Sequence, residues 1–497
     1  MAKEKFFWAD AAADKIIKEK GNKKEYICAS GITPSGIVHI GNFREVITTD
    51  LVVRALKDKG KKVKFIYSWD DYDRFRKVPA NINADYEKYI GMPLSEIPSP
   101  FKDGKSYAEH FEKEFEKSLL KVDIKPEFIR QNVMNKKYKY APLIKKAIEK
   151  RKEIMNILDK YRKKPLEKDW MPVTVYCEKC KKDFTKVISV KGYIIEYECE
   201  CGFKNKIDIR KNGIVKAPWR VDWPMRWKYE KVDFEPGGID HSVYGGSFMT
   251  SKEIVKKIYD YEAPIYQLYN WLKIKGGEEF SSSEGNALTL DEVEEVYEPE
   301  ILRYLFVGTR PNKGFQISFD NDVIKIYEDY DALERKYYEK KANPQERRIY
   351  ELSKIKISKK EPERISFRHL ITIIQTGKKK TLTKEQKKRA EKVENWLKKY
   401  AGDDMKFEIQ EKVLIQPSGK DKIALLELKK SLTSRNFNEE ELFNEFYEIC
   451  QKIMIKNTDF FAAAYRLIIN KEKGPRLANL ILTAGKDKII KLLNQIK

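Results

Sequence analysis

Several features that would restrict the class of protein are scarce or missing in this sequence. No stretch of its 497 residues approaches the roughly 18 uncharged apolar residues of a membrane-spanning helix, and the N-terminal MAKEKFFWAD lacks the apolar core of a secretion signal. We therefore expect a cytoplasmic protein without membrane contact. Only six cysteines occur, and four of them are clustered, which indicates a metal site in a reducing compartment rather than a disulfide framework.

Positive charge is the property that the chain has in excess. The formal net charge is +23, and residues 341–400 contain 19 Lys or Arg against 7 Asp or Glu. This concentration predicts a polyanionic partner. The alternative is a lysine-rich but ordinary solvated surface, since charged residues make up 36% of the chain.

Residues 25–60 predict the unit around which the chain is organised. An apolar run suited to a buried strand is followed by a loop with Gly31, Pro34 and Gly36, and then by helical spacing of apolar residues from His39 onward. A second apolar run follows, so a parallel strand, loop, helix, strand unit is expected. A helix N-terminus at His39 is a seat for a phosphate, and the sequence therefore predicts a nucleotide site. The alternative is that His39 only caps a helix.

Three carboxylates follow the second predicted strand. Asp70, Asp71 and Asp73 lie in SWDDYDRFRKVP, at the edge of a parallel sheet where ligands bind in doubly wound folds. An amino or hydroxyl ligand is one interpretation, and a surface ion network is the other. Farther along, the Trp-rich segment KAPWRVDWPMRW and a Gly-rich turn with His241 have a similar ligand-binding character.

Two pairs of cysteines predict a structural zinc site. Cys177 and Cys180 form one knuckle, and Cys199 and Cys201 form a second one at the other end of a β-prone segment. Four thiolates arranged in two close pairs suit tetrahedral zinc and leave no position for a catalytic water. Helical periodicity dominates residues 86–161, interpreted as an insertion, and the chain after residue 301, interpreted as a bundle.

A family resemblance connects these segments. The chain resembles the class I lysyl-tRNA synthetases from Phe7 to about Leu480, on the segments GITPSGIVHIGN, WDDYDRFRK, GMPLSEIP, KSYAEHF, WRVDWPMRW, IDHSVYGGS, SSSEGN and GPRL. The resemblance implies activation of lysine with ATP to lysyl-adenylate and its transfer to tRNA-Lys. It also implies Mg²⁺, one structural Zn²⁺ and, we expect, a monomer.

The resemblance implies an α/β fold with a Rossmann-type doubly wound parallel sheet. The first half of that domain is expected at 1–90 and the second half at 216–325, separated by a helical and zinc-ribbon insertion at 91–215 that binds the acceptor end. An all-α anticodon-binding domain is expected at 326–497.

The resemblance also assigns site residues, all of which are expectations. The catalytic positions are His39, Asn42, Ser281, Ser282 and Ser283. The ATP positions are Thr33, Pro34, Ser35, Gly36, His39, Gly41, Asn42 and Ser283. The lysine positions are Gly31, Thr33, Trp219, His241 and Tyr269, with Asp70 or Asp222 as counter-ion. The zinc ligands are Cys177, Cys180, Cys199 and Cys201.

The sequence departs from the family in two segments. PSPFKDGKSYAEHF contains no cysteine, so a second zinc site is expected to be lost and His110 to lack partner ligands. The serine loop carries Glu279 and Glu284 where relatives commonly have lysines that hold pyrophosphate. Two alternatives therefore stay open: a weakened or silent paralogue that binds tRNA without charging it, and a related ligase for another amino acid such as glutamate.

Overall fold

The computed structural model describes residues 7–276 and 288–497. Within these ranges the strands are β1 (Tyr26–Ile32), β2 (Val63–Trp69), β3 (Glu127–Arg130), β4 (Thr174–Val175), β5 (Thr185–Lys191), β6 (Ile194–Cys199), β7 (Lys204–Asp208), β8 (Val215–Lys216), β9 (Phe234–Gly238), β10 (Ile265–Tyr269), β11 (Leu272–Ile274) and β12 (Phe315–Ile317).

The helices in the same ranges are α1 (Trp8–Lys20), α2 (Ile40–Asp58), α3 (Tyr107–Lys121), α4 (Gln131–Lys136), α5 (Ala141–Glu149), α6 (Arg151–Asp159), α7 (Trp219–Glu230), α8 (Ile239–Ser242), α9 (Ser247–Lys257), α10 (Leu290–Glu294), α11 (Pro299–Val307), α12 (Asp322–Tyr338), α13 (Pro344–Ser353), α14 (Phe367–Gln375), α15 (Lys384–Lys399), α16 (Gly419–Ser434), α17 (Glu439–Ile453), α18 (Asn457–Ile469), α19 (Leu477–Ala484) and α20 (Lys486–Leu493). None of the described helices is long and apolar enough to cross a membrane.

A five-stranded parallel sheet organises the N-terminal part of the chain. Its strand order is β10-β9-β1-β2-β3, and β1 pairs with β2 in register from Tyr26 opposite Val63 to Ile32 opposite Trp69. The predicted strand, loop, helix, strand unit is confirmed, with α2 beginning directly after His39. The apolar positions that predicted α2 are buried against the sheet, among them Val46, Ile47 and Leu51.

The strand order reverses between β1 and β9. The chain runs outward from β1 through β2 to β3, and later adds β9 and β10 on the other side of β1. The connections that follow the carboxyl ends of two such neighbouring strands run to opposite sides, which leaves a crevice between them. Doubly wound sheets bind ligands in this crevice. The doubly wound fold class is confirmed, and it places the loops after β1, β2, β9 and β10 around one crevice.

One strand of this sheet comes from the range that the sequence assigned to the insertion. β3, only four residues long, pairs with β2 through Ile66 opposite Glu127. A strand this short carries too little periodicity to be separated from its helical neighbours in the sequence. The remainder of the range forms α3 to α6 and an antiparallel sheet of β5, β6 and β7.

The chain divides into two compact units. The first contains residues 1–294, 302–317 and 342–357, and the second contains 295–301, 318–341 and 358–497. Helix α13 belongs to the first unit, where Arg348 pairs with Asp10 and Asp58. The second unit is helical and is built around a core that includes Leu428 and Phe446. The four domain ranges expected from the sequence stay predictions.

Candidate active site

A cavity of about 610 Å³ lies in the first unit at the carboxyl ends of β1, β2, β9 and β10. Eight of the site residues that the sequence analysis named line it: Gly31, Thr33, Ser35, Asn42, Asp70, Trp219, His241 and Tyr269. Five others are described but do not line it: Pro34, Gly36, His39, Gly41 and Asp222. Ser281, Ser282 and Ser283, with Glu279 and Glu284, lie outside the described residues.

His39 and Asn42 form a reciprocal cap at the start of α2. The Nδ1 atom of His39 accepts from the Gly41 N–H at 3.1 Å, and Oδ1 of Asn42 accepts from the His39 N–H at 3.0 Å. Burial lowers the pKa of His39 to about 4, so the imidazole is neutral at pH 7. Because Nδ1 accepts, the single ring proton is on Nε2. His39 therefore caps the helix with its imidazole in the neutral form.

Gly31 brings the end of β1 very close to β2. A Cβ atom at this position would lie 2.6 Å from the Ser68 carbonyl oxygen, so no larger residue fits without moving the sheet. The Gly31 N–H donates to Oε1 of Glu45 at 2.9 Å, and the Tyr269 hydroxyl donates to Oε2 of the same carboxylate at 2.8 Å. Strands β1 and β10 and helix α2 thus meet around Glu45.

Glu45 and Glu235 are acidic residues of the cavity that the sequence analysis missed. Desolvation raises the pKa of Glu45 to about 8, and desolvation raises that of Glu235 to about 7. Glu235 accepts a hydrogen bond from Nε1 of Trp227. Neither carboxylate forms an ion pair with any residue that the structure describes. The only signal in the sequence is an acid inside a predicted buried segment, FREVITTD for one and DFEPGG for the other.

Asp70 and Asp222, the two counter-ions considered from the sequence, already have cationic partners. Arg226 contacts Asp70 at 2.5 Å and Asp222 at 3.4 Å, and Lys216 lies 3.8 Å from Asp222 and also pairs with Asp73. Burial disfavours the charge of Asp70, but Arg226 outweighs this and lowers the pKa of Asp70. The two carboxylates are therefore structural partners of buried cations, and neither is left for a ligand ammonium.

Aromatic rings form one wall of the cavity. Trp219 stacks on Trp223 with ring centroids 5.0 Å apart, and His241 lies 5.7 Å from Trp223. The guanidinium of Arg226 lies 5.3 Å from the Trp219 ring on the protein side. Such a wall packs against methylene groups and attracts a cation to its faces.

The loop after β2 gives the cavity a cationic side. Arg76 and Lys77 line it with exposed side chains, and Arg74 beside them pairs with Asp183 at 3.3 Å. Among the described residues, Arg76 and Lys77 have no carboxylate partner. The cavity therefore has an acidic, aromatic region at Glu45 and Glu235 and a basic rim at this loop, an arrangement suited to a ligand with a cationic end and a phosphate end.

Comparison with known proteins adds the family. Residues 6–356 match the family described as tRNA synthetases class I (K). The lysine–tRNA ligase of Borreliella burgdorferi is 45% identical, with 98% of this chain and 99% of the relative covered. The chain belongs to the class I (K) tRNA synthetases.

Other relatives of this class I tRNA synthetase are similar to it over nearly the same share of the chain. The lysine–tRNA ligase of Treponema pallidum is 42% identical and that of Pyrococcus horikoshii 40%, and in both cases 98% of this chain is covered, with 98% and 99% of the relative. The similarity therefore extends over both compact units.

The four cysteines of this synthetase converge as the spacing predicts. Their sulfur atoms all lie within 4.8 Å of one another, with Cys177 and Cys201 at 3.7 Å and Cys180 and Cys199 at 3.6 Å. Tetrahedral coordination at a Zn–S distance of about 2.3 Å places neighbouring sulfurs about 3.8 Å apart. The donor set and its spacing fit a structural zinc ion.

His110, expected to lack partner ligands, has contacts of another kind. Its Nδ1 atom lies 2.7 Å from Asp103, and its ring stacks on Phe101 with centroids 4.0 Å apart. The residue therefore ties the PSPFKDGK loop to α3.

Proposed function

We propose that the chain is a lysine–tRNA ligase, which joins lysine to ATP and transfers it to tRNA-Lys. The observation that carries this proposal is the acidic region of the cavity. Glu45 and Glu235 face it without an ion-pair partner in the described part of the chain, beside an aromatic wall. The ammonium of lysine supplies the missing positive charge, and its methylene groups pack on the rings.

The same observation argues against a glutamate ligase. A glutamate side chain would bring a third carboxyl group next to Glu45 and Glu235 and would supply no cation that favours their ionised forms. The cations that such a ligase needs in this region, Arg226 and Lys216, are committed to Asp70, Asp73 and Asp222.

In the first step, a carboxylate oxygen of lysine attacks the α-phosphorus of ATP, and pyrophosphate leaves. Glu45 and Tyr269 orient lysine from its ammonium end. The N-terminus of α2, which His39 caps, stabilises negative charge on the phosphates, while Arg76 and Lys77 contribute positive charge from the rim. Bound Mg²⁺ would come with ATP and neutralise part of its phosphate charge.

In the second step, a hydroxyl of the terminal ribose of tRNA attacks the carbonyl carbon of the adenylate, and AMP leaves. Positioning accounts for most of the rate gain in such reactions, because both reactants are held at one site. A zinc ion held by Cys177, Cys180, Cys199 and Cys201 would stabilise the ribbon fold and would take no part in these steps.

In this proposal residues 341–400, which carry the excess of positive charge, contact the tRNA backbone, but some of their cations are already bound in ion pairs. In the second unit, Arg364 is bound to Glu334 and Arg389 to Glu298 and Asp331, so these arginines hold the helices together. The cations left for phosphate are exposed lysines: Lys359, Lys360, Lys380, Lys384 and Lys387. Affinity that falls steeply with salt is the expected sign of their contacts.

Amino acid screening with total tRNA tests the proposal. Purified protein is incubated with ATP, total tRNA and each amino acid in turn, and aminoacyl-tRNA and ATP–pyrophosphate exchange are both measured. Charging with lysine alone supports the proposal. Charging with another amino acid refutes the proposal. Binding of tRNA without any charging identifies the silent paralogue, in which Glu279 and Glu284 prevent the formation of the adenylate and the release of pyrophosphate.

A further inference from the structure

An exposed tyrosine stands in a rigid turn beside the cavity. Tyr244 is 82% exposed and lies between α8 and α9. The turn is fixed by its glycines: Gly245 has φ +71°, and a Cβ on Gly246 would lie 2.4 Å from the His241 carbonyl oxygen. The ring is therefore presented to solvent from a backbone that has little freedom, although burying it would be favourable.

A second tyrosine supports the ring from the protein side. Tyr161 meets Tyr244 edge to face, with centroids 5.6 Å apart and planes at 71°. The Tyr161 hydroxyl donates to Glu253 at 2.7 Å, and Lys160 pairs with the same carboxylate at 2.6 Å. Tyr161 is thus held in place, and one face of Tyr244 is left for a ligand.

Cations surround this aromatic pair. Arg220 donates to the Gly245 carbonyl at 2.9 Å and to the Thr250 hydroxyl at 3.2 Å, which fixes its guanidinium to the same turn. Burial, and after it the charge of Arg162, lower the pKa of Arg220, so the two guanidiniums lie close together. No carboxylate pairs with either of them in the described ranges. Lys163 and Lys164 extend the positive charge, and both are exposed.

The position of these residues indicates the ligand. We call Tyr161, Arg162, Lys163, Lys164, Arg220 and Tyr244 the Tyr244 surface. Trp219 and His241, which line the cavity, lie in the same two segments as Arg220 and Tyr244. A ligand on this surface that also enters the cavity needs a planar ring, spaced negative charges and a free end. A single-stranded polynucleotide end has all three.

We propose that the Tyr244 surface holds the single-stranded 3′ end of tRNA, with one base stacked on Tyr244 and backbone phosphates bound by Arg162 and Arg220. This inference rests on the proposed function and extends it. The acceptor end is then held jointly by the predicted insertion, through Tyr161 to Lys164, and by the catalytic domain, through Arg220 and Tyr244. An acidic segment of a protein partner is the competing occupant.

The test compares Tyr244→Ala with Tyr244→Phe, which keeps the ring. Tyr447→Ala is the matched control: Tyr447 is 37% exposed and meets Phe443 edge to face at 5.0 Å, on a helix whose Glu440 and Glu448 disfavour RNA. Each variant is assayed for lysine charging of tRNA-Lys and for binding of intact tRNA and of tRNA without its 3′ single strand.

For Tyr244→Ala we expect charging to fall about 5- to 100-fold, the usual loss of one stacked base. Affinity for intact tRNA should fall while affinity for truncated tRNA is unchanged, and Tyr244→Phe and Tyr447→Ala should match the wild type. Equal affinity of Tyr244→Ala and wild type for intact tRNA overturns the inference. An equal loss of affinity for intact and truncated tRNA also overturns it, and would fit a surface occupied by another partner. If the wild type charges no tRNA with lysine, the proposed function fails, but the binding comparison still decides on the surface.

Discussion

Replacing Glu45 by glutamine tests the centre of the proposed lysine site. The variant keeps an oxygen that accepts from the Gly31 N–H, as Glu45 does at 2.9 Å, but removes the negative charge. An ammonium about 4 Å from a carboxylate gains about 4 kcal/mol at an intermediate dielectric. Because the pKa of Glu45 is raised to about 8, ionising it at pH 7 costs about 1.4 kcal/mol of this gain. The remainder corresponds to roughly 80-fold in affinity.

The assay measures kcat/KM for lysine in charging of tRNA-Lys, and inhibition by norleucine, which has the methylene chain without the ammonium. Glu45→Gln should lower kcat/KM for lysine about 30- to 200-fold and leave norleucine inhibition nearly unchanged. Glu149→Gln is the control, since its side chain is 55% exposed and distant in sequence from the cavity residues. If Glu45→Gln lowers kcat/KM for lysine and inhibition by norleucine to the same extent, the carboxylate does not recognise the ammonium and the reasoning fails.

The pH dependence supplies a second readout. In the free protein a raised pKa means that Glu45 holds a proton below about pH 8, and the ammonium must displace it. Ionisation of Glu45 should therefore contribute a rise of about one per pH unit to the logarithm of kcat/KM for lysine between pH 6 and 8, and ionisation of Glu235 adds to it below about pH 7. Glu45→Gln should remove this part of the slope and leave only that of Glu235, whose pKa is raised to about 7.

Three further changes have distinct expected results. Cys201→Ser should reduce bound zinc, measured by elemental analysis, from one ion per chain to a substoichiometric amount and lower the melting temperature, whereas Cys450→Ser, in the core of the second unit, should leave the bound zinc unchanged. Arg226→Met should cost about 3–5 kcal/mol of stability in urea unfolding, because two buried carboxylates lose their guanidinium; a loss below 1 kcal/mol would contradict the pairing. Glu279→Lys combined with Glu284→Lys should raise ATP–pyrophosphate exchange at least tenfold, since each change replaces repulsion of the phosphates by attraction; an unchanged rate would mean that this loop does not limit the reaction.

Short segments of the sequence were enough to predict the start of α2 and the cysteine cluster, because each depends on residues close together in the chain. The start of α2 was predicted because the cap needs only His39 and Asn42, three residues apart. The cysteine cluster was predicted because each knuckle is a short segment with its own turn. β3 was missed because four residues of strand, between helices, gain their identity only from pairing with β2.

Long-range pairing explains what the sequence did not reveal about the site. Asp70 finds its partner Arg226 156 positions along the chain, and Glu45 finds Tyr269 224 positions along it. No periodicity or spacing encodes such a meeting, because it depends on which strands become neighbours in the sheet. Asp222 and its partner Arg226 lie four residues apart on α7, but nothing near Asp70 or Glu45 in the sequence indicates that Asp70 has a distant guanidinium partner and Glu45 has none.

The distribution of charge in the cavity decides which of these acids can bind a ligand. A buried carboxylate with a guanidinium beside it gains little from a second cation, since its charge is already compensated. Asp70 and Asp222 are in this position. Glu45 accepts hydrogen bonds from Gly31 and Tyr269 but has no cationic partner. Burial therefore raises its pKa, and a bound ammonium would favour its ionised form. Without an ammonium the Glu45 carboxyl group keeps its proton below about pH 8, so only an amino acid with a cationic side chain gains an ion pair there. Discrimination for lysine follows from that difference.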